Sequence, residues 1–219
     1  MLLELLKSPD QLVFFVVALI IAITVHEFAH AWMATRLGDP TARAAGRLTL
    51  NPLAHLDPMG TILILLTKFG WGKPVPYNPN FLRNRRWGEL WVALAGPFTN
   101  LLTAFVFALP LRIYLIQKSP WPPDGQIWSF LSIVVGLNVI LAGFNLIPIP
   151  PLDGSKILRA ILGEFGAGSR IIIWLEQMGP MLLLVLIFAD RFFNTRILWT
   201  LLTPVFALIE FLVGSPGLG

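Results

Sequence analysis

An apolar run of about 26 residues, from Leu12 to Leu37, most constrains how this chain can fold. A helix rises about 1.5 Å per residue, so this run is long enough to cross the roughly 30 Å hydrocarbon core of a bilayer. Inside the run lie His26, Glu27 and His30, which form the pattern His-Glu-x-x-His. Ionisable groups at membrane depth are costly, so the run predicts a membrane-spanning helix that carries a functional site.

The composition of the whole chain is that of an integral membrane protein. Of the 219 residues, 56% are hydrophobic and 13% are charged, whereas a soluble domain carries about 25% charged residues. We attribute the net charge of +4 to basic cytoplasmic loops rather than to nucleic-acid binding. The absence of cysteine excludes disulfides, cysteine-ligated zinc and a cysteine nucleophile. We predict a single membrane-embedded domain over residues 1–219.

Four more apolar segments follow the first, separated by polar loops and proline-rich breaks. The fold class predicted from them is an all-α polytopic membrane protein with about five transmembrane helices. Residues 1–11 are predicted to form a short interfacial helix that ends at Pro9. The five predicted spans cover residues 12–37, 90–116, 127–147, 171–189 and 197–213.

The apolar segment 59–69 is too short for a straight span. The glycines and prolines of residues 70–76 break any helix after it, and residues 71–79 could form an extended edge. If this segment does not cross, eleven of the sixteen Lys and Arg residues lie on one side of the membrane. The positive-inside rule therefore favours a re-entrant or extended segment over about 57–79, with the N-terminus outside and the C-terminus inside.

His26 and His30 are spaced to act together. Residues four apart on a helix project from one face, about 40° apart and about 6 Å along the axis. Two imidazoles so placed can share one tetrahedral Zn²⁺, and Glu27 beside them can serve as the general base that deprotonates the metal-bound water. The alternative is a pair of histidines hydrogen-bonded within a helix bundle.

A catalytic zinc needs a third protein ligand. The chain has only three histidines, so that ligand is either His55 or a carboxylate. Asp153 stands out because it follows the proline-broken run 145–152, and irregular backbone at membrane depth occurs where it lines a cavity or is buried in protein. The alternative role for Asp153 is a helix cap before residues 155–162.

Together these elements resemble the site-2 protease family of intramembrane zinc metalloproteases, peptidase family M50. The resemblance rests on His26-Glu27-x-x-His30, on Ala-Gly-Pro-Phe-Thr-Asn at 95–100 and on the run from Asn145 through Pro-Pro-Leu-Asp-Gly at 150–154. Residues 51–60 and 70–76 are similar to the compact prokaryotic subgroup without PDZ or CBS domains.

The resemblance implies a role for each matching residue. His26, His30 and Asp153 would bind one zinc ion, and Glu27 would be the catalytic base. Asn145 would orient the substrate backbone, and the polar side chains of Asn100 and His55 are further candidates for substrate binding. An amide in an apolar helix must find a hydrogen-bond partner, so contact between helices is the alternative for both asparagines. His55 could instead be an outer partner of the site or an interfacial residue.

The function so predicted is a zinc metalloendopeptidase that cleaves a membrane-protein substrate within or near a transmembrane segment. The protein would be multi-pass in a prokaryotic inner membrane, with its active site nearer the cytoplasmic face. No oligomeric state follows from the sequence. The alternatives are a metal transporter and a non-proteolytic metal-binding membrane protein. Neither requires a glutamate between two histidines, so Glu27 favours the protease.

Overall fold

The structure is a computed structural model that describes residues 8–67, 71–117, 125–162, 166–193 and 195–213. Regular structure in these ranges is entirely helical, with two additional 3-10 turns at Pro52–Ala54 and Pro79–Phe81. The interfacial helix predicted over residues 1–11 lies largely outside them. The helices are α1 (Pro9–Arg36), α2 (Thr41–Ala44), α3 (Pro58–Thr67), α4 (Arg85–Gln117), α5 (Gly125–Asn145), α6 (Asp153–Leu162), α7 (Gly166–Phe193) and α8 (Ile197–Val213).

The predicted all-α membrane architecture is confirmed. Helices α1, α4, α5 and α7 are long and apolar enough to cross a membrane, and α8 contains the shorter apolar helix Thr200–Leu212. These five helices occupy the five predicted spans. Helix α4 begins at Arg85 instead of Leu90, because the helix continues through a polar first turn that lies outside its apolar part.

Helices α1, α4 and α5 pack against one another in all three combinations, and α8 packs on α4 and α5. Small residues such as Ala104 and Ala108 on α4 allow this close approach, as expected where helices associate inside a membrane. The largest buried cluster is formed by Ala104, Ala108, Leu111, Val135, Val139 and Leu212. This arrangement places the polar residues of α1 between two neighbouring helices.

Helix α3 is too short to cross, since its ten residues rise only about 15 Å. The loops before and after it are hydrogen-bonded to each other and to the end of α1. Lys73 donates its N–H to the carbonyl of His55 at 2.8 Å, and Arg83 donates to the carbonyl of Leu37 at 3.0 Å. The chain therefore returns to the side that it left, as the re-entrant prediction requires; residues 68–70 lie outside the described ranges.

This topology predicts which exposed positions share a side of the membrane. The chain has no cysteine, so Arg43→Cys, Arg83→Cys and Gln126→Cys each provide one label at an exposed position. In sealed oriented vesicles, an impermeant maleimide should label positions 43 and 83 from the same side. It should label position 126, one span later, from the other side. Labelling of 43 and 83 from opposite sides would show that the segment between them crosses.

Candidate metal centre

Three side chains from two helices converge on one point. His26 and His30 project from one face of α1, and Asp153 is the first residue of α6. The Nε2 atoms of the histidines are 3.0 Å apart, and the Oδ2 atom of Asp153 lies 3.2 Å and 3.1 Å from them. All three residues are buried, with 4–7% of their surface exposed. The group could hold one metal ion.

The opposite nitrogen of each imidazole is engaged by a fixed acceptor. His30 donates from Nδ1 to the carbonyl oxygen of Val92 at 2.7 Å, and His26 donates from Nδ1 to Oδ1 of Asn100 at 2.6 Å. Such partners fix the tautomer and the ring orientation of metal-binding histidines. In a neutral ring the proton therefore lies on Nδ1, and Nε2 presents a lone pair to the other imidazole and to Asp153.

The residues present fit a zinc ion. With both imidazoles neutral, three acceptor atoms face one another, and Oδ2 of Asp153 is buried without a hydrogen-bond partner. Such a cluster is repulsive unless a cation lies among the three atoms. Atoms that bind one zinc tetrahedrally at about 2.0–2.1 Å lie about 3.3 Å apart, close to the separations seen here. Two histidines and one carboxylate are also a known set for catalytic zinc with an open position.

Asp153 reaches this point because α5 ends at Asn145 and the chain turns back. The turn is closed by local backbone hydrogen bonds, such as Leu152 N–H to the carbonyl of Ile149 at 3.0 Å. Gly154 lies so close to the end of α5 that a Cβ there would be 2.3 Å from the carbonyl oxygen of Leu146. The proline-broken run therefore brings the first turn of α6 against the histidines.

Lys156, one turn along α6, pairs with the second oxygen of Asp153. Its Nζ lies 3.0 Å from Oδ1 and 5.6 Å from the centre of the Tyr77 ring. Burial alone would raise the pKa of Asp153, but the two neighbouring imidazoles and Lys156 more than offset it and hold that pKa well below its usual range. The carboxylate is therefore ionised at neutral pH, as a metal ligand must be.

Helix α4 approaches the two imidazoles at Gly96, within the segment 95–100. A Cβ at this position would lie 2.5 Å from Nε2 of His30 and 2.6 Å from Cε1 of His26. Any larger residue would displace the ring atoms that face the metal position. Gly96 is therefore required by close approach rather than by backbone conformation.

Glu27 is half-buried beside the histidines, and the segment 71–78 lies against it. The N–H of Val75 donates to Oε2 of Glu27 at 3.0 Å. Arg47 holds the same segment by donating from Nη1 to the carbonyl of Pro74 at 3.0 Å and from Nη2 to the carbonyl of Lys73 at 2.5 Å. This segment has no regular secondary structure, and no strand occurs within the described ranges.

The remaining predicted residues occupy different positions. His55 is fully buried and donates from Nε2 to the carbonyl of Thr49 at 2.7 Å, so it is not one of the three clustered side chains. Asn145 donates from Nδ2 to the carbonyl of Leu141 at 3.0 Å. Among the described residues it makes no hydrogen bond to the metal group. Asn100 does contact the group, through His26.

Sequence reasoning missed three residues around the site: Arg47, Asn138 and Lys156. Asn138 is an amide within an apolar span, the same signal that drew attention to Asn100. The position of Lys156 three residues after Asp153 on a helix indicates a neighbouring side chain. Nothing local in the sequence relates Arg47 to residues 73–74, because that contact depends on how the two loops meet.

Comparison with known proteins identifies the family. The sequence model of peptidase family M50 matches residues 14–120 and 110–186. The chain belongs to peptidase family M50. YwhC of Bacillus subtilis, a zinc metalloprotease by name, is 40% identical over 191 residues, which cover 86% of this chain and 85% of YwhC. Rip2 of Mycolicibacterium smegmatis, also a zinc metalloprotease by name, is 30% identical over 82% of this chain and 70% of its own.

Membership of peptidase family M50 confirms the predicted enzyme class, a zinc metalloendopeptidase, and the predicted zinc cofactor. The compact form of the family that the sequence predicted agrees with the match to most of YwhC. A more distant relative, the zinc metalloprotease MJ0392 of Methanocaldococcus jannaschii, is 26% identical over 68% of this chain and 34% of its own. No solved structure matches the chain significantly.

The contact at Gly96 generates a test of the centre. Gly96→Ala should displace the imidazoles and sharply reduce bound zinc, measured by elemental analysis of the purified protein. Gly136→Ala on α5 is the matched control, since a Cβ there meets nothing within 4 Å, and it should retain zinc. Equal zinc content in wild type and a folded Gly96→Ala variant would contradict the assigned ligand geometry.

Proposed function

We propose that this member of peptidase family M50 hydrolyses a peptide bond within or beside a transmembrane segment of a membrane-protein substrate. The observation that carries the proposal is the position of this buried group on α1. His26 and His30 belong to that helix and Asp153 packs against them, and the helix is long and apolar enough to cross a membrane. A protease with its metal group at this depth meets substrate in the bilayer rather than in solution.

His26, His30 and Asp153 are the proposed zinc ligands. The zinc ion supplies Lewis-acid polarisation and lowers the pKa of water. Glu27 is the proposed general base, which accepts the proton of the attacking water at a carboxylate oxygen. Its Oε2 is engaged by the N–H of Val75. Its Oε1 lies 3.8 Å from where a Cβ of Gly72 would be, so a side chain at position 72 would contact that oxygen.

Asn145 remains the proposed contact to substrate, whereas His55, which is fully buried and bound to the carbonyl of Thr49, is proposed as an inner partner of its loop. Asn145 stands at the end of α5, eight residues before Asp153, and is only partly buried. For Asn100 we propose a different role from substrate binding, because it is fully buried and engaged by protein groups on both amide atoms. A substrate backbone unwound next to Val75 would have to compete with Glu27 for the Val75 N–H.

The active site is proposed to lie nearer the cytoplasmic face of a prokaryotic inner membrane. His26 is ten residues before Arg36, or about 15 Å along α1. The loops that carry Arg43, Arg47, Lys73 and Arg83 surround that end of the helix, and the positive-inside rule assigns basic loops to the cytoplasm. Water for hydrolysis would enter from this side.

Glu27→Gln tests the general base. The variant should retain zinc, because Glu27 is not among the clustered ligands, and should lose cleavage by about 10²- to 10⁴-fold. Zinc is measured by elemental analysis and cleavage with single-span reporter peptides in detergent micelles. Glu176→Gln, which removes a carboxylate on α7 outside the centre, should keep both. Cleavage by Glu27→Gln at the wild-type rate would refute the mechanism.

The same assay tests the substrate class. Reporter peptides that contain a hydrophobic span should be cleaved in or beside the span, with the site located by mass spectrometry. Soluble peptides derived from their loops should not be cleaved. Efficient cleavage of the soluble peptides alone would leave the peptidase assignment intact but exclude an intramembrane substrate.

Asp153→Ala tests the third ligand. Losing a ligand should weaken zinc affinity by more than the roughly 10- to 100-fold that loss of an outer partner causes, measured by competition with a chelator. His55→Ala is the discriminating control, because His55 lies outside the cluster and its variant should keep zinc. The opposite pattern would reassign the third ligand to His55.

A further inference from the structure

A hydrogen-bond relay crosses three helices behind His26. Asn138 on α5 accepts at Oδ1 from Nδ2 of Asn100 on α4 at 2.8 Å. Asn100 in turn accepts at Oδ1 from Nδ1 of His26 on α1 at 2.6 Å. Both asparagines have 0% of their surface exposed, so no bulk water replaces a missing partner.

Backbone carbonyls determine the orientation of both amides. Nδ2 of Asn100 lies 3.0 Å from the carbonyl oxygen of Ala22, and a carbonyl oxygen can only accept. The nitrogen of Asn100 must therefore face Ala22, which leaves its oxygen for His26. In the same way Asn138 turns its Nδ2 to the carbonyl oxygen of Val134 at 2.9 Å, which leaves its oxygen for Asn100.

The amide group of Asn100 has two N–H bonds, and both are engaged. One donates to Ala22 and the other to Asn138. Without Asn138, the second N–H would be buried with no acceptor, which is unfavourable. The Asn100 side chain would then gain by rotating toward another acceptor, and its oxygen would move away from His26.

We propose that Asn138 is a positioning residue for the zinc site, which acts through Asn100 to hold the ring of His26. This inference rests on the proposed ligand role of His26. Within the described part of the chain Asn138 hydrogen-bonds to Asn100 and to the carbonyl of Val134 and to none of the three clustered side chains, so its effect on zinc would pass through Asn100. A residue that merely joined α4 to α5 would change stability without changing the site.

Asn138→Leu removes the acceptor while keeping a similar volume. Zinc affinity of the purified protein, measured by chelator competition, should fall about tenfold, the lower end of the range for outer partners of metal ligands. The Nδ1 proton of His26 in the zinc-loaded protein should shift upfield in NMR spectra as its hydrogen bond to Asn100 weakens. A purely structural contact would leave this resonance unchanged.

Two further variants show whether a loss of zinc comes from misfolding rather than from loss of the acceptor. Asn138→Ala also removes the acceptor but adds no bulk, so it should change both readouts in the same direction. Val139→Ala truncates the adjacent residue, which is equally buried in the apolar cluster with Ala104 and Leu111. It should lower thermal stability while leaving zinc affinity and the His26 resonance unchanged.

A double-mutant cycle tests the route of the effect. If Asn138 acts through Asn100, then Asn138→Leu should cause little further loss of zinc affinity in an Asn100→Ala background. Additive losses would overturn the proposal, as would wild-type zinc affinity in both folded Asn138 variants. His26→Ala separates failure of the relay from failure of the proposed site, because retention of zinc by that variant would reject His26 as a ligand.

Discussion

The structure depends on the cost of placing polar groups where water cannot reach them. Three atoms of His26, His30 and Asp153 that carry lone pairs when the imidazoles are neutral face one another within 3.2 Å, an arrangement that a cation among them stabilises. The same cost accounts for the groups behind the imidazoles, because each ring also needs an acceptor for its Nδ1 proton. Val92 and Asn100 supply those acceptors from α4.

The need for an acceptor at each Nδ1 proton requires α4 to pack closely on α1. A carbonyl at Val92, an amide at Asn100 and the bare backbone at Gly96 lie along the part of α4 that meets the histidines. Gly96 admits the rings, while Val92 and Asn100 orient them. Helix α4 therefore adds no side chain to the His26–His30–Asp153 group and yet determines where its two imidazoles point, as outer partners of metal sites commonly do.

The segment 71–78 gives Glu27 a comparable support. Val75 engages one carboxylate oxygen of Glu27, and Arg47 anchors the segment through two backbone carbonyls. Because the loops on either side of α3 meet at one end of α1, the short re-entrant helix brings this support to the site without crossing the membrane. The path of the loops therefore determines which groups contact Glu27.

The sequence by itself determined the helical membrane class, the approximate spans and the pairing of His26 with His30. Apolar length and a spacing of four residues are local properties, and a bilayer leaves little choice but a helix. The proline-broken run also singled out Asp153, although capping remained an alternative. Only the tertiary structure decided that Asp153 rather than His55 joins the histidines, that Asn100 faces His26, that Arg47 binds the carbonyls of residues 73 and 74, and that Asn138 binds Asn100. Those contacts join residues 26 to 127 positions apart, and packing of helices, not local pattern, determines which of them meet.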